Sequence, residues 1–269
     1  SLFMIKRNLL IAILILCSIG IIKGQTVSDS LAIMSARWKV ESPQKGIIHK
    51  YASIPRLYQG TQSVSLIEIE PGAGLKVDIA VSDEMKETSR IASEHRGIAA
   101  INGSYFDMKR GNSVCFLKVG NQVVDTTTLS ECKLRVTGAM HVHKGKIKLI
   151  PWSRQIEKEY KGETGIVLAS GPLMLKDGQI CDWNSCGTNF IRTKHPRSAV
   201  ATTKEGKILL ITVDGRFPEQ AEGVNIPELA HLIRILGGED ALNLDGGGST
   251  TLWLSGASDD GVVNYPCDN

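Results

Sequence analysis

The sequence predicts an α+β fold, with a strand-rich mixed sheet core and two or three helices. Three observations predict it. Short apolar or alternating stretches separated by turn residues recur along most of the chain, whereas helical periodicity is confined to a few short segments. The chain has 269 residues, of which 42% are hydrophobic, and this is enough for one large domain with its own core. Many strands with few helices make an α+β fold.

The strand pattern begins with residues 63–71 and 75–81, which alternate or are β-branched on either side of Pro71-Gly72 and Gly74. This arrangement predicts a strand, a turn and a second strand. Residues 98–102 predict a buried strand. Further hairpin turns are predicted at Gly120-Asn121, Lys144-Gly145, Asp177-Gly178 and Glu205-Gly206.

Two helices are visible in the sequence. A short one contains Ile91 and Ala92 and ends near Gly97. The last helix is clearer, because Pro227 lies near its start behind Asn225 and Gly237-Gly238 ends it. Its apolar stripe consists of Ile226, Leu229, Ala230, Ile233 and Leu236.

The chain divides into three segments. Residues 9–22 form an apolar stretch behind Lys6 and Arg7, which is typical of a secretory signal. This stretch is shorter than the ~20 residues that span a bilayer. We expect residues 1–24 to be a signal peptide that directs export to a periplasmic or extracellular location. Residues 25–60 carry few strand signals and are expected to be a lead-in to the main domain at 61–269.

The charge of the expected mature chain is balanced. Removal of Lys6, Arg7 and Lys23 reduces 31 basic residues to 28, against 28 acidic ones. A neutral chain does not favour nucleic acid or a membrane surface as a partner. We therefore predict no nucleic-acid binding and no stable membrane insertion after the signal is removed. The oligomeric state is left open.

Five cysteines remain after export: Cys115, Cys132, Cys181, Cys186 and Cys267. In an oxidising compartment, Cys115 with Cys132 and Cys181 with Cys186 are candidate disulfides, and buried thiols are the alternative. His141 and His143 alternate on one strand, but no third ligand lies nearby in the sequence. We predict no metal and no cofactor.

Three apolar runs stop at polar residues and glycine. They are AAINGSYFD at 99–107, LLITVDGR at 209–216 and ALNLDGGGS at 241–249. A strand delivers a side chain to a fixed position, and the following glycine lets the backbone turn and approach a ligand closely. We expect the three strand ends to meet at one pocket.

The glycine run of the third motif suggests an anion site. Consecutive amides at residues 246–248 can form a concavity suited to an anionic oxygen. Asp245 would lie beside that anion, which is unfavourable unless a cation intervenes. Arg197 and Arg216 are the cations at neighbouring strand ends.

Together the motifs INGSYF, PRSAVA, VDGR and LNLDGGGST, in this order within residues 63–256, resemble the phosphodiester glycosidase family. The family occurs among bacterial proteins associated with exopolysaccharide. The resemblance implies that residues 61–269 form a catalytic domain. It also implies hydrolysis of a sugar-1-phosphodiester, such as one of N-acetylglucosamine (GlcNAc), to free sugar and a phosphate monoester.

The resemblance also implies roles for individual residues. The arginines would hold the phosphate, and Asp245 and Asp214 are the catalytic candidates, because such a site needs a carboxylate near the anomeric carbon. The expected substrate-binding residues are Asn102, Gly103, Tyr105, Arg197, Arg216, Asn243, Gly246, Gly247, Gly248 and Ser249. Tyr105 is alternatively a core residue.

A noncatalytic carbohydrate- or anion-binding module of the cell envelope is the competing interpretation. Such a module would use Arg197, Arg216 and the glycine run, but it would not need two aspartates. The presence of both Asp214 and Asp245 therefore favours an enzyme.

Overall fold

The computed structural model describes residues 25–82 and 84–267, so the predicted signal peptide lies outside the described residues. The predicted α+β class is confirmed, with six short helices and fifteen strands in the described part of the chain. The helices are α1 Val27–Met34, α2 Thr88–Glu94, α3 Ser130–Arg135, α4 Arg154–Glu159, α5 Thr188–Arg192 and α6 Ile226–Ile235. The first eight strands are β1 Lys39–Gln44, β2 Ile47–Leu57, β3 Gly60–Ile69, β4 Ala99–Ile101, β5 Leu117–Val119, β6 Gln122–Asp125, β7 Gly138–His143 and β8 Lys146–Pro151. The others are β9 Ile166–Ser170, β10 Leu173–Lys176, β11 Gln179–Ile180, β12 Arg197–Thr203, β13 Ile208–Val213, β14 Gly238–Asn243 and β15 Leu252–Leu254.

The strands form three sheets. The largest has eight strands in the order β1-β2-β3-β13-β12-β14-β10-β11, a second has the order β6-β5-β9-β7-β8, and β15 pairs with β4. Neighbouring strands run antiparallel, as the predicted hairpins require. β12 lies between β13 and β14 and runs antiparallel to both, so the start of β12 lies beside the ends of its two neighbours. We call this end of the three central strands the sheet edge.

The central strands are buried on both faces. On β12, Ala199 and Ala201 belong to a core cluster that also contains Leu229 and Ile233 of α6. The intervening Val200 belongs to a second cluster, shared with the five-stranded sheet and β15. Successive side chains of a strand point to opposite faces, so β12 packs against a helix on one side and against a sheet on the other.

The predicted last helix is confirmed as α6. Asn225 caps its start, and the Glu228 side chain accepts a hydrogen bond from the Asn225 amide, which completes a capping box. Beyond the helix end, Gly237 has a φ of +102°, a conformation that favours glycine. No helix among the described residues is long and apolar enough to cross a membrane.

Two predictions of local structure need correction. Residues 75–81 form no strand, although the amide of Val77 donates to the carbonyl of Gly145. Leu75 and Ile79 are partly buried against the core, and this packing accounts for the alternating pattern. Residues 25–60, expected to be a lead-in, supply α1, β1 and β2, and the last two extend the eight-stranded sheet. The domain boundary at residue 60 stays a prediction.

The cysteines form neither predicted disulfide. Cys115 and Cys132 are buried thiols joined by a hydrogen bond. Cys186 is buried in the core cluster beneath α6, whereas Cys181 packs against the other cluster. Their closeness in sequence therefore does not bring these two side chains into the same layer.

Candidate active site at the edge of the large sheet

The antiparallel pairing of β12 brings two of the three motifs together. Arg197 pairs with Val213 on one side, and Ala199 pairs with Asn243 on the other. Asp214 and Asp245 each follow within two residues of their strand's last residue. Both carboxylates therefore leave the sheet at the same edge.

Asn102 joins the remaining motif to this edge. Its Nδ2 donates to the Asp245 carbonyl at 2.7 Å, and its Oδ1 accepts from Ser198 Oγ at 2.7 Å and from the Thr251 amide at 3.1 Å. The Asp245 amide donates to the Gly103 carbonyl at 3.0 Å. The three strand ends thus converge, since Arg216 of the second motif also approaches Gly247. That they form one pocket stays a prediction.

Asp245 is a half-buried carboxylate. Burial raises its pKa to about 6, whereas hydrogen bonds from Ser249 and the Gly246 amide, together with the positive charge of Arg135, act in the opposite direction. The Gly246 amide lies 2.9 Å from Asp245 Oδ1. A carboxyl group with this pKa can exchange a proton near neutral pH.

Asp214 lies deeper, with 1% of its surface exposed. It accepts hydrogen bonds from Ser63 Oγ at 2.6 Å, the Tyr265 amide at 3.1 Å and Asn264 Nδ2 at 3.3 Å. Burial raises its pKa to about 6, and these three donors oppose the increase. Of the two predicted catalytic residues, Asp245 is the more accessible.

The glycine run differs from the predicted anion cradle. The Gly246 amide donates to Asp245, and the Gly247 amide donates to the Pro196 carbonyl at 3.0 Å. Two of the three amides are therefore used by the protein itself. Gly247 has a φ of +59°, and a Cβ there would lie 3.1 Å from Arg216 Nη2, while Gly248 is exposed.

The two predicted phosphate-binding arginines have different surroundings. Arg216 is exposed, at a φ of +63°, and its Nη1 lies 3.7 Å from the Cys267 sulfur. Arg197 is 3% exposed, and burial lowers its pKa to about 10. The Arg197 guanidinium donates to the carbonyls of Val224, Phe190 and Thr193 at 3.0, 3.0 and 2.7 Å. A phosphate contact by Arg197 stays a prediction, and the geometry favours Arg216 for that role.

Tyr105 and Asn243 are joined by hydrogen bonds beside Asp245. Tyr105 Oη donates to the Gly171 carbonyl at 2.7 Å, and Asn243 Nδ2 donates to Tyr105 Oη at 3.2 Å and to the same carbonyl at 3.1 Å. Asn243 is only 1% exposed. Its amide group therefore orients Tyr105 instead of facing solvent.

Sequence reasoning missed two residues that lie beside Tyr105, namely Arg135 and Phe190. The Arg135 guanidinium carbon lies 3.9 Å from the ring centroid of Phe190 and 5.6 Å from that of Tyr105. Arg135 ends α3 and Phe190 belongs to α5, and neither residue lies in a glycine-containing motif. Nothing in the local sequence connects them, because only the tertiary fold brings the two short helices together.

Two surface cavities lie away from this edge. One of about 400 Å³ is lined by residues around α2, and one of about 270 Å³ lies at the turn between β7 and β8. Neither is lined by Asp214 or Asp245. Since the pair of titrating carboxylates lies at the sheet edge, we regard that edge as the candidate active site.

Comparison with known proteins places the motifs in context. A family model described as phosphodiester glycosidase matches residues 95–269. The N-acetylglucosamine-1-phosphodiester α-N-acetylglucosaminidase of Mus musculus is 34% identical over 82 residues, which are 30% of this chain and 15% of that enzyme. The Homo sapiens enzyme is 30% identical over 82 residues, with the same shares of the two chains. The matched segment thus spans less than one fifth of these relatives.

Solved structures resemble the fold over most of the chain. The zebrafish N-acetylglucosamine-1-phosphodiester α-N-acetylglucosaminidase catalytic domain, auto-inhibited by its pro-peptide, has a TM-score of 0.62 and 19% identity. That match covers 86% of this chain and 80% of the zebrafish chain. A hypothetical protein from Synechocystis has a TM-score of 0.60 and 15% identity, covering 86% of this chain and 61% of its own. At these identities the similarity establishes the fold.

Proposed function

The chain belongs to the phosphodiester glycosidase family, and on that premise we propose that it hydrolyses a sugar-1-phosphodiester to free sugar and a phosphate monoester. GlcNAc is the proposed sugar, because it is the sugar in the names of the mammalian relatives. The observation that carries the proposal is the position of Asp245. This half-buried carboxylate, with a pKa of about 6, lies where the three strand ends meet.

The chemistry of such a substrate matches the groups at this edge. The leaving group is a phosphate monoester of low basicity, so its departure needs less protonation than that of an ordinary sugar alkoxide. The main requirements are a carboxylate to stabilise or attack the anomeric carbon and a cation to hold the phosphate. Asp245 and Arg216 meet these two requirements.

We assign the carboxylate that contacts the substrate to Asp245 and an internal role to Asp214. Asp214 is almost completely buried and already accepts three hydrogen bonds. Asp245 instead adjoins the exposed Gly103 and Gly248. The Asp245 side chain therefore lies nearer to solvent than that of Asp214.

Substitution of Asp245 by Asn tests this assignment. The change keeps size and removes charge, so we expect sugar release to fall by at least about 10²-fold, by analogy with the loss of other groups that stabilise transition-state charge. GlcNAc release is measured with UDP-GlcNAc and with a methyl-phospho-GlcNAc diester. Asp177→Asn is the matched control, since Asp177 is exposed in a hairpin turn between β10 and β11.

The results separate the two functional interpretations. Turnover by wild type that is lost in well-folded Asp245→Asn, and retained in Asp177→Asn, supports the enzyme. Near-wild-type release by Asp245→Asn would transfer the catalytic role to Asp214. Binding of the diester by the wild type without any release would favour the noncatalytic envelope module.

We also propose that the protein is exported to a periplasmic or extracellular location. The support is the sequence pattern of Lys6, Arg7 and the apolar residues 9–22. The mass of the protein recovered from an exporting host tests this, because removal of residues 1–24 gives a defined decrease. Recovery of the uncleaved chain from the cytoplasm would contradict the proposal.

A further inference from the structure

Arg135 is a cation held by aromatic rings. Its guanidinium carbon lies 3.9 Å from the Phe190 centroid and 5.6 Å from the Tyr105 centroid. Its Nε is buried and has no hydrogen-bond partner among the described residues. None of the ion pairs of the described residues includes Arg135. The residue is therefore partly buried and has no carboxylate within ion-pair distance among the described residues.

In this environment the Arg135 guanidinium is available to bind an anionic ligand. Stacking on a ring occupies the face of the guanidinium, whereas its N–H donors point outward in the guanidinium plane. A buried donor without a partner is unfavourable, and an acceptor bound at the less buried part of the half-buried guanidinium would compensate its charge. Planar N–H donors match the oxygens of phosphate in bidentate fashion.

The position of Arg135 links it to the candidate active site. Its carbonyl packs against Gly171 so closely that a Cβ on Gly171 would overlap it. The Gly171 carbonyl accepts the hydrogen bonds of Tyr105 and Asn243. The positive charge of Arg135 also lowers the pKa of Asp245, in opposition to burial.

The neighbouring arginine is less suited to a ligand. Arg197 contacts the same Phe190 ring, with its guanidinium carbon 5.1 Å from the centroid, but it donates to three backbone carbonyls. Two arginines thus share one aromatic ring, and they differ in their hydrogen-bond partners. Arg197 is held by the protein, and Arg135 has a buried donor to spare.

We propose that Arg135 is a substrate-binding residue that holds a phosphate oxygen of the sugar phosphodiester beside Asp245, with Phe190 supporting its guanidinium. This inference rests on the proposed function and adds to it a residue outside the four sequence motifs. It also has a consequence for stability. Replacement of Arg135 removes the ring contacts, but it also removes a buried donor that has no partner among the described residues, so the net change in stability should be small.

The experiment compares Arg135→Gln and Arg135→Lys with the wild type. Arg192→Gln is the matched control, since Arg192 is an exposed arginine of α5, two residues from Phe190. Binding of GlcNAc 1-phosphate and of neutral GlcNAc is measured by calorimetry, together with UDP-GlcNAc hydrolysis and the thermal midpoint of unfolding. Glucuronic acid is included to separate phosphate from carboxylate recognition.

We expect Arg135→Gln to weaken GlcNAc 1-phosphate binding and to raise KM for UDP-GlcNAc, each by at least tenfold, with little change for neutral GlcNAc. Arg135→Lys should recover only part of the loss, because an ammonium lacks the planar donor set. Arg192→Gln should behave as the wild type does. Midpoints of unfolding should remain within a few degrees, and Arg135→Lys carries the test if Arg135→Gln does not fold.

Several outcomes would overturn the inference. They are wild-type affinity for GlcNAc 1-phosphate in Arg135→Gln, or in Arg135→Lys where Arg135→Gln does not fold, and preference of the wild type for glucuronic acid over the sugar phosphate. A wild type that does not bind GlcNAc 1-phosphate also overturns it. A wild type that binds this ligand through Arg135 but releases no sugar supports the anion site and rejects the proposed hydrolysis.

Discussion

Gly246 occupies a point where two backbone segments approach closely. A Cβ at this residue would lie 2.5 Å from the Pro196 carbonyl oxygen, and backbone atoms cannot move aside as a flexible side chain can. Gly103, in the neighbouring motif, is exposed, and its Cβ would meet only Leu168 at 3.9 Å. The two glycines therefore resemble each other in sequence context but differ in the space around them.

We expect Gly246→Ala to lower the free energy of unfolding by about 1–3 kcal/mol, as for other forced overpacking. Gly103→Ala should change the free energy of unfolding by less than about 0.5 kcal/mol, as surface substitutions usually do. Urea denaturation of both variants measures the difference. Equal stabilities would mean that the chain relaxes around Gly246 and that the close approach to Pro196 is unimportant.

Arg197 gives a second prediction at the residue scale. Its guanidinium satisfies three backbone carbonyls, and the ammonium of a lysine cannot reproduce that planar arrangement. Arg197→Lys should reduce the free energy of unfolding by about 3 kcal/mol, because hydrogen bonds to charged groups are lost in the interior. The exposed Arg154→Lys serves as control in the same denaturation experiment. A stable Arg197→Lys variant with impaired sugar release would instead support the phosphate contact predicted from the sequence.

At the scale of elements, Asn102 connects four segments through one side chain. It follows β4, accepts from Ser198 of β12 and from the amide of Thr251 before β15, and donates to the carbonyl of Asp245 after β14. Each of these partners is a polar group at the sheet edge. Removal of the carboxamide would leave several buried groups without partners at once.

We therefore expect Asn102→Ala to lower the free energy of unfolding by about 2–4 kcal/mol, the combined effect of lost hydrogen bonds and unpaired polar groups. Sugar release should fall further than stability alone explains, since the support of Asp245 is lost. Asn121→Ala, in the exposed turn between β5 and β6, is the control. Unchanged stability of Asn102→Ala would show that the strand ends hold together without this side chain.

For the whole molecule, the buried Asp214 makes stability depend on pH. Its folded pKa is about 6, above the ordinary value of 3.8, because burial disfavours the charged form. The folded state thus binds the proton more tightly than the unfolded state. The contribution of Asp214 is most favourable below pH 3.8 and is lost as pH rises to about 6.

The loss amounts to about 3 kcal/mol, since one pKa unit corresponds to ~1.36 kcal/mol. Asp214→Asn cannot ionise, so its free energy of unfolding should fall less between pH 4 and pH 7 than that of the wild type, by most of this amount. Urea denaturation at several pH values measures the difference, with Asp177→Asn as control. Parallel pH profiles for the wild type and Asp214→Asn would contradict the assignment.

Predictions from the sequence succeeded where local patterns carry the information. The hairpin turns, β3 and α6 follow from turn residues, alternation and capping, because each depends on neighbours in the chain. Residues 75–81 show where such a pattern fails. Alternating side chains can pack against a core without the backbone joining a ladder, and a ladder requires a partner strand from elsewhere in the chain.

The sequence by itself determined the α+β class, the family and the strand-end motifs that contain Asp214 and Asp245. Only the tertiary structure decided what surrounds those motifs: that Arg197 is held by backbone carbonyls, that the Gly246 and Gly247 amides are already used, and that Arg135 stacks on Phe190. The reason is physical. Burial, hydrogen-bond partners and pKa depend on atoms brought together by strand pairing and helix packing, and these atoms come from residues far apart in the chain.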